Sequence, residues 1–179
     1  TKFNTNATGL IKAVATGSNS ISNLVVDGFL VEKGSLRPTF IFASQIDGFT
    51  LSNSGLYGSN ALSSYTDCVK FDTGADYGVK GNVLVENNIF KDYGQYILWF
   101  RLIGTGSYEI TNNQFINCGQ TAGSHGAVTF ASYASDATNI EINFHHNILD
   151  DSYMMFRADA WSNATASNLT MKCNYNKVS

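Results

Sequence analysis

The residues with chemistry to offer sit beside a recurring phenylalanine. Lys70 precedes Phe71, Trp99 and Arg101 flank Phe100, and Arg157 follows Phe156. The chain has only three arginines, and two of them fall at equivalent places in this pattern. In a strand whose phenylalanine faces the core, both neighbours in sequence face out. The column one place before the phenylalanine reads Ile41, Lys70, Trp99, Thr129, Met155; the column one place after reads Ala43, Asp72, Arg101, Ala131, Arg157. Strand spacing then sets Arg101 and Arg157 roughly 10 Å apart, two rungs of the ladder, with small Ala131 between them. Lys70, Trp99, Arg101 and Arg157, with Asp72 and Tyr133 at the border, make a strip suited to an anionic sugar chain. An aromatic ring covers a sugar face, and guanidinium forks bind carboxylates or sulfates in bidentate fashion. His125, in the loop Gly123-Ser124-His125-Gly126, is within reach of the same strip. The charges also fit a ligand-free ladder of ion pairs. There Asp72 and Asp159 neutralise Lys70, Arg101 and Arg157, at under about 1 kcal/mol per exposed pair.

Other chemistry has less to build on. Asp67, Asp72 and Asp76 are close enough in sequence to donate oxygens to calcium, the one cofactor alternative to none. A glycosidase needs one carboxyl held protonated beside one ionised. Asp72 and Asp159, each next to an arginine, would both stay ionised. His145 and His146 flank a bend on a different face and read as surface residues. Asn6-Ala7-Thr8, Asn163-Ala164-Thr165 and Asn168-Leu169-Thr170 are glycosylation sequons, informative only in a eukaryotic secretory setting. Cys68, Cys118 and Cys173 fit no zinc spacing and no full disulfide framework; they read as buried or half-buried thiols, with one disulfide and a spare thiol as the alternative.

The elements that must position the strip come from two interleaved repeats. Phenylalanines recur at 42, 71, 100, 130 and 156, in steps of 29, 29, 30 and 26 residues. Two places before each lies another apolar residue: Phe40, Val69, Leu98, Val128, Met154. Apolar residues at i and i+2 mark a strand with one buried face. The second repeat runs Val83 to Phe90, Tyr108 to Phe115, Ile142 to Leu149 and Leu169 to Asn176. Each copy is a short alternating strand, a bend at Asn and, in all but the last, an apolar residue turning back in. Asn tolerates the left-handed conformation and bonds its own backbone, which suits a bend. Val26-Asp27-Gly28-Phe29 and Ile46-Asp47-Gly48-Phe49 read as the same corner built with Gly. No helical stripe outlasts two turns. Short strands at a steady period predict an all-β, right-handed parallel β-helix of about six to seven coils, rather than a β-sandwich, which has no reason to repeat Phe. Residues 53–67, 74–81, 119–126 and 133–138 read as insertions beside the Phe strand, on the side where such arrays usually bind.

Length and composition narrow the function classes. The 179 residues make a single domain, 44% apolar and 14% charged, which excludes a disordered chain. The longest apolar run, Tyr96 to Phe100, is five residues, so no membrane span is expected. A net charge of -3 with 11 basic residues argues against a nucleic-acid partner. The chain opens Thr1-Lys2-Phe3-Asn4 and ends on the polar run Lys172 to Ser179, which reads as a cap. It is expected to be the C-terminal part of a longer or processed protein, with an upstream domain or an end-to-end subunit contact at its uncapped start.

The repeat resembles the pectin-lyase-like superfamily of β-helices. Within it, Lys70 on one coil and Phe100-Arg101 on the next are similar to the alginate lyase and chondroitinase B family, as are the Asn82 to Phe90 corner and Gly94. The likeness covers Asp67 to Phe115. It implies β-elimination on a uronic-acid glycan, with Lys70 as base, Arg101 as carboxylate clamp or acid partner, and Trp99 and Arg157 holding neighbouring sugars. The family's Arg is followed by His-Gly, whereas Leu102-Ile103-Gly104 follow here, and its calcium glutamates are replaced by Asp67 alone. Phe144-His145-His146-Asn147 is similar to a pectate lyase stretch but lacks the Arg-x-Pro-x-Arg that should follow. The overall look is that of bacterial secreted or surface β-helix proteins. The expectation is an extracellular or cell-surface domain that binds acidic polysaccharide, as a degenerate lyase. An active polysaccharide lyase and a structural stalk, adhesin or filament segment are the alternatives.

Overall fold

The computed structural model describes residues 2–5, 9–15, 19–33, 39–58, 67–71, 78–94, 96–119, 128–152, 156–160 and 166–179, with the backbone alone at 2–5, 9, 33, 131–136, 156–160 and 166–167. β1 (Lys2–Thr5) is followed by strands in threes: β2 (Gly9–Val14), β3 (Ile21–Asp27) and β4 (Leu30–Lys33); β5 (Thr39–Ser44), β6 (Ile46–Ser52) and β7 (Gly55–Tyr57); β8 (Val69–Phe71), β9 (Val79–Glu86) and β10 (Ile89–Lys91). In the next two turns the first two strands fuse. β11 (Leu98–Thr111) precedes β12 (Gln114–Ile116), and β13 (Val128–His145) precedes β14 (Ile148–Asp150). β15 (Phe156–Ala160), β16 (Ala166–Asn174) and β17 (Lys177–Val178) complete the order.

Every pairing among these strands is parallel. One face stacks β1-β4-β7-β10-β12-β14-β17, and the other two faces share a larger sheet that β11 and β13 cross from end to end. No described residue is helical. The chain is therefore an all-β parallel solenoid, as the repeats require; a sandwich would have paired its strands antiparallel.

Inside, identical side chains lie one above another. Phe71 stacks on Phe100 with ring centroids 5.5 Å apart, and Phe100 on Phe130 at 5.3 Å. A second pile, Phe90 on Phe115 at 5.0 Å and Phe115 on Phe144 at 6.0 Å, fills the side below the third face. Ring-to-ring spacings near the strand spacing are what a ladder of aligned strands dictates.

The five-phenylalanine ladder is shorter than its spacing suggests. Phe42 pairs with Lys70, and Ala43 is the residue opposite Phe71. Phe156 pairs with Val128, and Ala158 stands opposite Phe130. In β5 the inward places belong to Ile41 and Ala43, both fully buried, and Phe42 turns outward. Ala43 fits because Phe49, from the second face, packs edge-on against Phe71 at 4.9 Å and takes the volume a larger residue would need. A step of 29 residues counts loop residues too, so it constrains strand register only loosely.

Three corner columns hold left-handed residues. The expected corner contains Gly28, Asn53, Asn87, Asn112, His146 and Tyr175, all with φ between 51° and 69°. Gly48 is not part of it. It lies with Asn23, Gly81, Asn139 and Asn168 at a second bend, between the first and second faces. Asp92, Asn117 and Asp151 form a third. Asn, Asp and Gly take most of these places because their cost in this conformation is lowest.

The residue after the first corner makes the ladder. Asn88 Nδ2 donates to Asn113 Oδ1 (3.0 Å), Asn113 Nδ2 to Asn147 Oδ1 (3.1 Å), and Asn147 Nδ2 to Asn176 Oδ1 (3.1 Å). Each oxygen also accepts a backbone N–H from the preceding turn, and each amide also reaches a carbonyl: Leu51 O, Val85 O, Ile110 O and Phe144 O in turn. Truncating one member orphans groups in both neighbours. Asn113→Ala is expected to cost about 3 kcal/mol in chemical denaturation. A loss under about 0.5 kcal/mol would show the ladder to be dispensable. Burial raises the Cys118 thiol to about 12. Cys68 and Cys118 are buried while Cys173 is exposed, and none of the three is in a disulfide. A maleimide is expected to label Cys173 alone in the native chain and all three thiols after denaturation.

Candidate functional site

The outward column of the first face follows from the register. Lys12 pairs with Phe42, Phe42 with Lys70, Lys70 with Trp99, Trp99 with Thr129, and Thr129 with Arg157. Lys12 is exposed; Phe42, Lys70 and Trp99 are half-buried; Thr129 is buried. Backbone spacing sets these rungs about 4.8 Å apart. Lys70 and Trp99 stand outward because their sequence neighbours, Val69 and Phe71 or Leu98 and Phe100, are wholly buried.

At the middle of the column, Lys70 and Trp99 form one unit. The Lys70 ammonium lies over the Trp99 ring, 4.3 Å from its centroid, and pairs with an Asp67 oxygen at 3.2 Å. Tyr96 also packs against the Trp99 ring, with ring centroids 4.3 Å apart. Such a half-buried cation over a ring contributes about 0.5–1 kcal/mol.

Arg101 departs from the expected strip. Phe100 points in, so Arg101 points out, yet it is only 4% exposed. Arg157 is not in its column: the backbone of Arg157 is in register with Thr129, while Ala131, opposite Arg101, pairs with Asp159. The two arginines therefore do not share one ladder. Ile41, expected outside, is fully buried. Asp72, Asp76 and His125 lie outside the described residues, and Tyr133 and Arg157 are described by backbone only. Asp67 is turned to Lys70, and no group of three metal-ligating side chains occurs among the described residues.

Lys12 and Phe42 join the column unannounced by the repeat. Their signal was present in Leu10-Ile11-Lys12-Ala13-Val14 and Thr39-Phe40-Ile41-Phe42-Ala43, if Ile-x-Ala is aligned with Val69-x-Phe71. Phe40 and Phe42 flank Ile41, so alternation alone left two readings of β5.

The second face carries a different polar set. His145 Nε2 contacts a Glu109 oxygen, and its Nδ1 faces Thr111 Oγ1 (3.2 Å) and His146 Nδ1 (2.6 Å). His146 stacks on Tyr175. The histidines are thus on a separate face, as expected, with His145 half-buried in a bonded cluster. Lys172 holds the Glu141 carboxyl below its ordinary range, and Ser52 and Asn53 do the same for Asp27.

No protein-family model matches the chain, and neither a curated protein nor a solved structure does. The fold is shown by the strand pairing itself.

The Lys70 unit is testable without any ligand. Asp67→Asn and Lys70→Met, combined in a double-mutant cycle, are expected to couple by about 1 kcal/mol, since both side chains are less than a quarter exposed. Zero coupling would mean that the pair does not hold Lys70 in place.

Proposed function

We propose that this chain is a glycan-binding domain of a pectin-lyase-like β-helix, secreted or displayed at a cell surface, that holds acidic polysaccharide along its first face. One observation carries the reading: the outward column Lys12, Phe42, Lys70, Trp99, which alternates cations with aromatic rings and contains no carboxylate, and whose register continues along the backbone through Thr129 to Arg157. Cations two rungs apart, Lys12 and Lys70 at roughly 10 Å, suit a polymer with repeated negative charge. Rings between them offer flat apolar surface to sugar faces. A parallel stack generates such a column at no cost in loop order, because every rung is already held by backbone hydrogen bonds.

Binding is favoured over catalysis by what surrounds the two residues a lyase would use. Lys70 is engaged by Asp67 and Trp99, and Arg101 is buried. A β-elimination needs a free base and an exposed cation to neutralise the uronate.

The test is affinity electrophoresis on alginate, pectate, chondroitin and heparin, run beside the ultraviolet absorbance of unsaturated uronate. Retardation on at least one polymer without product is expected. Trp99→Ala or Lys12→Ala should weaken it about tenfold. Product that disappears in Arg101→Ala would replace this reading with an active lyase. No retardation on any polymer would replace it with a structural segment.

A further inference from the structure

The third face carries a groove that the acidic-glycan column does not use. Its volume is about 510 Å³, and it is lined by Glu32, Tyr57, Gly58, Ile89, Lys91, Asp92 and Ile116. That volume lies in the range of small-molecule sites, roughly 300–1,000 Å³. Register explains its make-up. Glu32, Tyr57, Lys91 and Ile116 are successive rungs of one outward column, and Gly55 and Ile89 are neighbours in the column beside it.

Gly55 lets the aromatic ring lie down. A Cβ built there would stand 2.9 Å from Leu30 Cδ1, 3.3 Å from the Tyr57 hydroxyl and 3.4 Å from its Cζ, so the phenol is folded back along the strand over the glycine, beside Leu30. The half-buried ring, with Ile89 and Ile116, makes an apolar floor. Gly58 brings the backbone so close that a Cβ would come within 2.3 Å of Asp92 O. Asp92 takes a left-handed φ of 60°, and its carboxylate accepts a bond from Asn117 Nδ2 at 2.7 Å, which orients it. The groove thus combines a flat aromatic floor with two carboxylates and one ammonium.

We infer that this groove is a second carbohydrate site, specific for a neutral oligosaccharide. The geometry of a ring lying between Glu32 on the rung to one side and Lys91 with Asp92 on the rung to the other is what carries it. The C–H face of a pyranose packs on an aromatic floor. Its hydroxyls donate to carboxylates and accept from an ammonium, and these bonds to charged groups are the stronger kind. Two carboxylates against one ammonium disfavour a uronate or sulfated sugar. The site is therefore complementary in charge to the first face and independent of the acidic-glycan reading.

Saturation-transfer and chemical-shift NMR on the intact chain, with cellotriose, mannotriose and lactose as probes, tests the site. At least one probe is expected to bind saturably. Tyr57→Ala should weaken it about tenfold, and Gly55→Val, which lifts the ring, should weaken it similarly. Trp99→Ala should leave it unchanged, with far-ultraviolet dichroism of all three variants like that of the parent. Failure of every probe to saturate, or binding indifferent to both Tyr57→Ala and Gly55→Val, overturns the inference. So does an oligogalacturonate that shifts the groove residues as strongly as a neutral probe. Loss of binding in Trp99→Ala alone would move the neutral sugar to the first face and overturn it too.

Discussion

Each carboxamide in the column Asn88, Asn113, Asn147, Asn176 does two things at once. It satisfies backbone groups at a bend, where the sheet's own ladder has stopped, and, in all but the last, it donates a hydrogen bond to the next carboxamide. Three of the four are almost completely buried. Buried amides tolerate few geometries, because an unmade bond costs far more than a made one contributes. The ladder therefore sets the vertical register of the second and third faces. Rings such as Phe90, Phe115 and Phe144 can stack only because the corner above them is so aligned.

The first face lacks such a device, and its behaviour differs accordingly. Its register rests on backbone pairing and on which side chains fill the core. Ala43 replaces a phenylalanine where Phe49 already occupies the space, and Phe42 is turned out beside Lys70. The outward column is a consequence of this slip. A ladder with Phe42 and Phe156 inside would have placed Arg157 above Arg101; the observed one places it in the column of Trp99 and Lys70. Packing at the core thus decides which charges meet at the surface.

The same architecture explains how one short chain can present two unlike faces. A parallel stack turns each outward position into a row. The row that holds Lys12, Phe42, Lys70 and Trp99 is basic and aromatic, whereas the row that holds Glu32, Tyr57 and Lys91 has mixed charge and a ring laid flat by a neighbouring glycine. Little but local composition has to change to give the rows different chemistry.

The solenoid was legible in the sequence, because it depends on features that repeat within one strand and one bend: apolar residues two apart, and Asn-Asn before a returning apolar residue. These are local rules of side-chain direction and left-handed backbone, and they need no knowledge of neighbours. The Lys70–Trp99 adjacency was legible for the same reason, since both flank aligned phenylalanines. The pairing of Lys12 with Phe42, the separation of Arg157 from Arg101, the burial of Arg101 and the hold of Asp67 on Lys70 were not. Each depends on how far one strand slides along the next. That slide is set by core volume and by loops whose length the chain can vary freely, so only the assembled tertiary structure decides it.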